Sequence, residues 1–130
     1  MASALDTARK TIETLLNAIT DTIIWSNDPK DPPSSGTWIE PHILWGGGFV
    51  STKNGRSTIT GVVSVNVFAQ GGTGTGPLMV KADSVRDVMN RIESSGVRFG
   101  VPSGPRRIPN PESKWVQANI TVPFSVDETV

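Results

Sequence analysis

The chain has no cysteine and no tyrosine, a single histidine, and no excess of charge of either sign. Each absence removes a class of function. Without cysteine there is no disulfide framework, no thiolate metal site and no cysteine nucleophile. Twelve basic residues balance twelve acidic ones. A protein that holds nucleic acid by displacing counterions carries a basic excess, and this one does not. No apolar run reaches the 18 residues at which a membrane-spanning helix becomes a candidate. The opening stretch MASALDTARK lacks the charged start and apolar stretch of a signal peptide, so the expected compartment is a cytoplasm. On that expectation the pattern Asn119-Ile120-Thr121 is a chance match to a glycosylation sequon.

What is present suits one domain spanning residues 1–130, with 36% hydrophobic residues for one modest core. Leu5, Ala8, Ile12, Leu15, Leu16, Ile19 and Ile23 recur at helical spacing, which predicts an amphipathic helix of about five turns. The run from Ser26 to Gly36, with three prolines, is a loop. A strand-like stretch from Trp38 to Trp45 follows, then three glycines. Pro41 and those glycines suggest that this strand is broken, bulged or at a sheet edge. Asn54-Gly55 is a hairpin signal, and pairing around it sets Lys53 opposite Arg56 and Val50 opposite Ile59. Alternation then runs through Val63, Val65, Val67 and Ala69. A second helix is expected over 83–94, capped by Asp83 or Ser84, striped by Val85, Val88, Met89 and Ile92, and ended at Ser95-Gly96. Val97, Phe99 and Val101 suggest a short strand. Residues 102–113 read as a proline-rich loop. Val116, Ala118, Ile120, Val122, Phe124 and Val126 form one face of a closing strand, with Pro123 marking an edge or bulge.

The order α-β-β-α-β-β predicts an α+β fold, a two-layer α/β sandwich with a mainly antiparallel four-stranded sheet packed against two helices. Its expected core contains Leu15, Ile19, Val65, Val67, Val88, Ile92, Phe99, Ile120 and Val122.

Candidate chemistry is sparse. Gly71 and Gly76 stand at the two glycine positions of a P-loop, but Pro77 and Leu78 stand where Lys and Ser or Thr are required. The loop therefore lacks the cation for the phosphates and the hydroxyl for Mg²⁺. Proline also takes away one N–H of the cradle. His42 has no metal-ligand partner at i+2 or i+4 and no G-x-S-x-G nucleophile motif beside it. No catalytic residue, cofactor site or metal site is nominated, and the expectation is a protein that is not an enzyme.

Four tryptophans, Trp25, Trp38, Trp45 and Trp115, either finish the edges of the core or supply partner contacts. Arg106-Arg107 is either solvated or contacts a neighbouring subunit or a phosphate backbone. So much irregular chain around a small core suggests loops that become ordered against partners.

One set of residues carries a resemblance. A strand ending at Phe68 is followed by Gly72-Thr73-Gly74-Thr75-Gly76-Pro77, then Ala82-Asp83, Val97-Arg98-Phe99, and a closing strand with Trp115 and Ile120-Thr121-Val122-Pro123-Phe124. Over residues 5–126 this resembles the tail terminator, or tail-completion, proteins of tailed bacteriophages. A lysine is common in that family where Thr73 stands here.

The resemblance implies a non-enzymatic virion protein, forming a ring of six copies that caps the tail tube and docks it to the head or neck. Its implied partners are itself, the tail tube protein and head-completion or neck proteins, with DNA passing through the lumen without specific binding and no membrane. Its expected location is the tail or neck of the virion, after synthesis in the host cytoplasm. The candidate interface comprises Lys53, Asn54, Gly55 and Arg56 at the hairpin tip, Gly72, Thr73, Gly74, Thr75 and Gly76 in the glycine loop, and Arg106, Arg107 and Trp115. A head–tail connector or stopper is the alternative virion role. A small ligand- or nucleotide-binding module using the Gly71–Gly76 loop is the alternative of another class.

Overall fold

A computed structural model describes residues 3–19, 22–25, 36–50, 56–70, 76–108 and 115–129. Helix α1 is Ala4–Asn17. Strand β1 is Thr22–Ile23, β2 is Thr37–Val50 and β3 is Arg56–Gln70. Helix α2 is Gly76–Met89. Strands β4 (Glu93–Ser94), β5 (Val97–Phe99), β6 (Ser103–Ile108) and β7 (Trp115–Thr129) complete the chain.

The four-stranded antiparallel sheet expected from the sequence is overturned. The strands form one seven-stranded mixed sheet in the order β1-β2-β3-β7-β5-β4, with β6 also on β7, and the sheet curls into a half-barrel. It is mixed because β1 runs parallel to β2, while the remaining pairs are antiparallel. Three strands of 14 and 15 residues carry the sheet; the short strands β1, β4, β5 and β6 are added along its sides.

Both helices differ from their sequence expectation. Helix α1 begins at the Ser3 cap, whose hydroxyl accepts from the Asp6 amide at 3.1 Å, and it ends at Asn17. Ile19 and Ile23 keep the helical spacing, but the intervening Thr and Asp residues are weak helix formers. Thr22 and Ile23 pair with Trp38 and Ile39 instead. Helix α2 starts seven residues before the expected cap, with Pro77 in its first turn, where the missing N–H has no helical partner to lose. Its buried stripe is Leu78, Ala82, Val85 and Met89. Ser84 donates to the Val80 carbonyl inside the helix and caps nothing. Ser95-Gly96 is not a helix stop. Both residues have positive φ, and Ser94 pairs with Val97, so they form the two-residue turn of the β4–β5 hairpin.

The proline-rich segment expected to be a loop contains β6. In the β2–β3 hairpin Val50 lies opposite Ser57, and Ile59 lies opposite Gly48. The pairing set by a two-residue Asn54-Gly55 turn is therefore shifted, and the tip itself, residues 51–55, is outside the described residues. A register shift between Trp45 and Gly48 gives β2 a bulge.

Proline positions follow from backbone direction. The Gly100 amide donates to the Pro123 carbonyl at 2.8 Å, so residue 123 turns its backbone polar groups away from β3. Its missing N–H falls where β5 gives way to β6, a point with no strand partner to disappoint. Pro123 thus sits within a paired strand and not at the end of an edge. By the same alternation the Ile24 amide reaches the Ile39 carbonyl, so Pro41 turns its nitrogen to the open side of β2.

The main core lies between one face of the sheet and the two helices. Fully buried residues include Ile12, Leu16, Ile39, Val65, Leu78, Met89, Ile120 and Val122. Of the expected core, Leu15, Val88 and Ile92 are only partly buried. Helix α1 crosses the sheet. Its start lies beside Trp45 on β2, and Thr14 and Leu15 lie beside Ser94 and Ser95. Arg9 and Lys10 hold the Asp6 carboxylate, which lowers its pKa, the Arg9 hydrogen bond being the largest cause. A lowered acid stabilises the fold above its unfolded pKa and loses that contribution as pH falls through its folded value. The melting midpoint followed by circular dichroism should therefore fall slightly more steeply on the acid side in wild type than in Asp6→Asn, which lacks the titrating group.

Candidate functional site

The other face of the sheet carries two distinct surfaces. At one end, Ile24, Trp38 and Trp115 are buried together with Phe68 against them. Trp38 stacks on Phe68 with centroids 4.0 Å apart and meets Trp115 edge-on at 6.1 Å. The Trp38 indole nitrogen is buried without a hydrogen-bond partner among the described residues. Trp115, a candidate contact residue, is therefore part of a packed cluster.

Across the middle of the same face runs a polar row. Register aligns Glu40 on β2, Asn66 on β3, Asn119 on β7 and Arg106 on β6. The Asn119 amide donates to Asn66 Oδ1 at 2.9 Å and to Ser64 Oγ at 3.0 Å. The Asn66 amide donates to Glu40 Oε1 at 3.3 Å. The same oxygen meets His42 Nε2 at 2.9 Å. Strand alternation alone places these side chains together, since positions two apart share a face. His42 is thus a strand histidine in a hydrogen-bonded row. Arg106 ends the row, and neither it nor Arg107 has an ion pair or hydrogen bond from its side chain among the described residues. Both line a cleft of about 240 Å³ with Ile108 and Asn119.

Further along, Arg98 donates to both oxygens of Asp127 at 3.0 and 3.1 Å, and Thr58 donates to Asp127 Oδ1 at 2.7 Å. The Arg98 pKa is raised, mainly by that hydrogen bond. Arg86 on α2 donates to the Pro102 and Gly104 carbonyls and ties the helix to the start of β6.

The remaining sequence candidates scatter. Lys53, Asn54, Gly55, Gly72, Thr73, Gly74 and Thr75 lie outside the described residues. Arg56 opens β3, opposite Thr129. Gly76 is exposed at the start of α2. The polar row was missed as a unit because its members are far apart in sequence; the signal was the alternation of polar residues in the two long strands, which names a face but not its neighbours.

Among the described residues no cluster of three His, Cys, Asp or Glu could hold a metal. Among the described residues, clefts of about 240 to 280 Å³ occur, short of the ~300 Å³ at which small-molecule pockets begin. Calorimetric titration with ATP, GTP or NAD at millimolar ligand should give no heat beyond dilution. Saturable binding lost in Gly74→Val would make the glycine loop a ligand site.

No protein-family model matches the chain. No curated protein matches it. A solved structure aligns over 96% of this chain and 96% of its own length, with a TM-score of 0.71 and 18% identity. At that identity the likeness is one of fold alone.

Proposed function

We propose that this protein is a structural component of a tailed-bacteriophage virion, a tail terminator that forms a ring on the end of the tail tube and presents a docking surface for the head or neck. The observation that carries the reading is the place of the resembling residues in the fold. Gly76-Pro77 opens α2, and Val122-Pro123-Phe124 occupies β7 where β5 gives way to β6. Two of the resembling stretches therefore stand where one element gives way to the next. The polar row adds support, since it offers charged and hydrogen-bonding groups to a partner surface.

A ring requires a heterologous interface, one patch meeting a different patch and closing by rotation. Zero net charge suits a channel that must let DNA slide. A connector or stopper of the neck would use the same geometry, and the position of the protein in the particle separates the two.

The test is genetic. Inactivating the gene in the phage genome that carries it should yield separate filled heads and tails of irregular length. Normal virions would sink the proposal. Tails of normal length that fail only to join heads would move the assignment to a connector.

A further inference from the structure

We infer that copies of this chain associate head to tail across the two open sides of the sheet, with Arg106 of one copy on the Glu40–His42 pair of the next. This deepens the ring reading, resting on it only for closure of the contacts into a circle.

The argument starts from the polar row. Both hydrogen bonds to the Glu40 carboxylate go to Oε1, and Oε2 has no partner among the described residues. At the far end of the row, the Arg106 guanidinium has no acceptor among the described residues. An open carboxylate oxygen stands on one side of the sheet and an unpaired guanidinium on the other. Within one chain β3 and β7 keep them apart. Between two chains they are complementary, and Arg with a carboxylate is the ion pair best suited to a partly dry contact.

The backbone agrees. Among the described residues β1 covers only Trp38 and Ile39 of β2, and no strand covers the outer side of β6. Strands β2 and β6 run in opposite directions, because β2, β3, β7 and β6 alternate. Rotation about an axis along the strands preserves those directions, so β6 of one copy meets β2 of the next antiparallel.

Pro41 leaves the open side of β2 one donor short, and Gly104-Pro105 interrupts β6. These prolines keep backbone pairing short, which limits indiscriminate edge growth. Selectivity then falls to the side chains. The exposed side chain of Leu44, on the same face as Glu40 and His42, adds apolar surface beside the pair.

The experiment uses the full chain and sedimentation velocity at several protein and salt concentrations. Wild type should associate reversibly and more weakly as salt rises. Arg106→Glu and Glu40→Lys should each remain folded by circular dichroism and associate on the order of tenfold more weakly or worse. Mixed one to one, the two variants should associate again, because each supplies the charge that the other has lost at both kinds of contact. Wild type that stays monomeric, single variants that associate like wild type, or a mixture that fails to recover would overturn the inference. The proposed virion role is judged separately by the gene-inactivation phenotype, so rings that survive both variants would move the interface and leave that role standing.

Discussion

Replacing Gly61 with alanine should destabilise the fold by about 3 kcal/mol, at the upper end of the usual cost of forcing an extra carbon into a packed site. A Cβ at residue 61 would lie 2.5 Å from the Phe124 ring and 2.8 Å from the Leu44 carbonyl oxygen. Phe124 is buried and meets Trp45 edge-on with centroids 5.5 Å apart. It also packs at a tilt against Phe99, with centroids 6.4 Å apart. The ring cannot swing aside without disturbing both neighbours. The Leu44 carbonyl belongs to the adjacent strand and cannot move without disturbing the β2–β3 ladder. The melting midpoint should drop by about 10 °C for a domain of this size. Phe124→Leu in the same chain should recover part of the loss, because it relieves the ring contact but not the carbonyl. A Gly61→Ala variant as stable as wild type would mean that β2 and β3 are not in the register described.

Ile120→Ala is the other large effect. Ile120 is fully buried in the main core and lies opposite Val65, itself fully buried. Emptying a buried branched side chain costs about 2–5 kcal/mol, the spread reflecting how far the surroundings collapse. Ile120 sits in the middle of β7, paired with Val65 of β3 and flanked on the β6 side by the pairs Thr121–Ser103 and Asn119–Arg106, which limits how far the backbone can collapse. The expected value is therefore in the upper half of that range. Urea denaturation should show it as a lowered midpoint with an unchanged slope. A loss below about half a kcal/mol would place residue 120 on the solvent face, out of step with a buried-site cost.

These two positions differ in how visible they are beforehand. Ile120 was legible: Val116, Ala118, Ile120, Val122, Phe124 and Val126 alternate with polar residues, and period two names the buried face without reference to any other strand. Gly61 was not. Nothing local distinguishes it from a glycine tolerated in a strand, and its need for a bare backbone arises only when Phe124 is brought over it from 63 residues later. The same separation divides the candidate site. Polar residues at 40, 42, 64, 66 and 119 could be assigned to exposed faces, but their alignment with Arg106 requires the register of four strands.

The sequence by itself determined the long strands and their buried faces, the existence of two amphipathic helices, and the absence of thiol chemistry. It determined these because side-chain periodicity and composition are local properties. The tertiary structure decided where the helices begin and end, that β1, β4 and β6 exist at all, and which groups face the open sides. Thr22–Ile23 and Ser103–Ile108 have no apolar period of their own; they are strands because β2 and β7 offer unpaired N–H and C=O groups at matching spacing. Ser95-Gly96 is a hairpin turn and not a helix stop for the same reason, since left-handed residues serve either purpose and the neighbouring strand selects one.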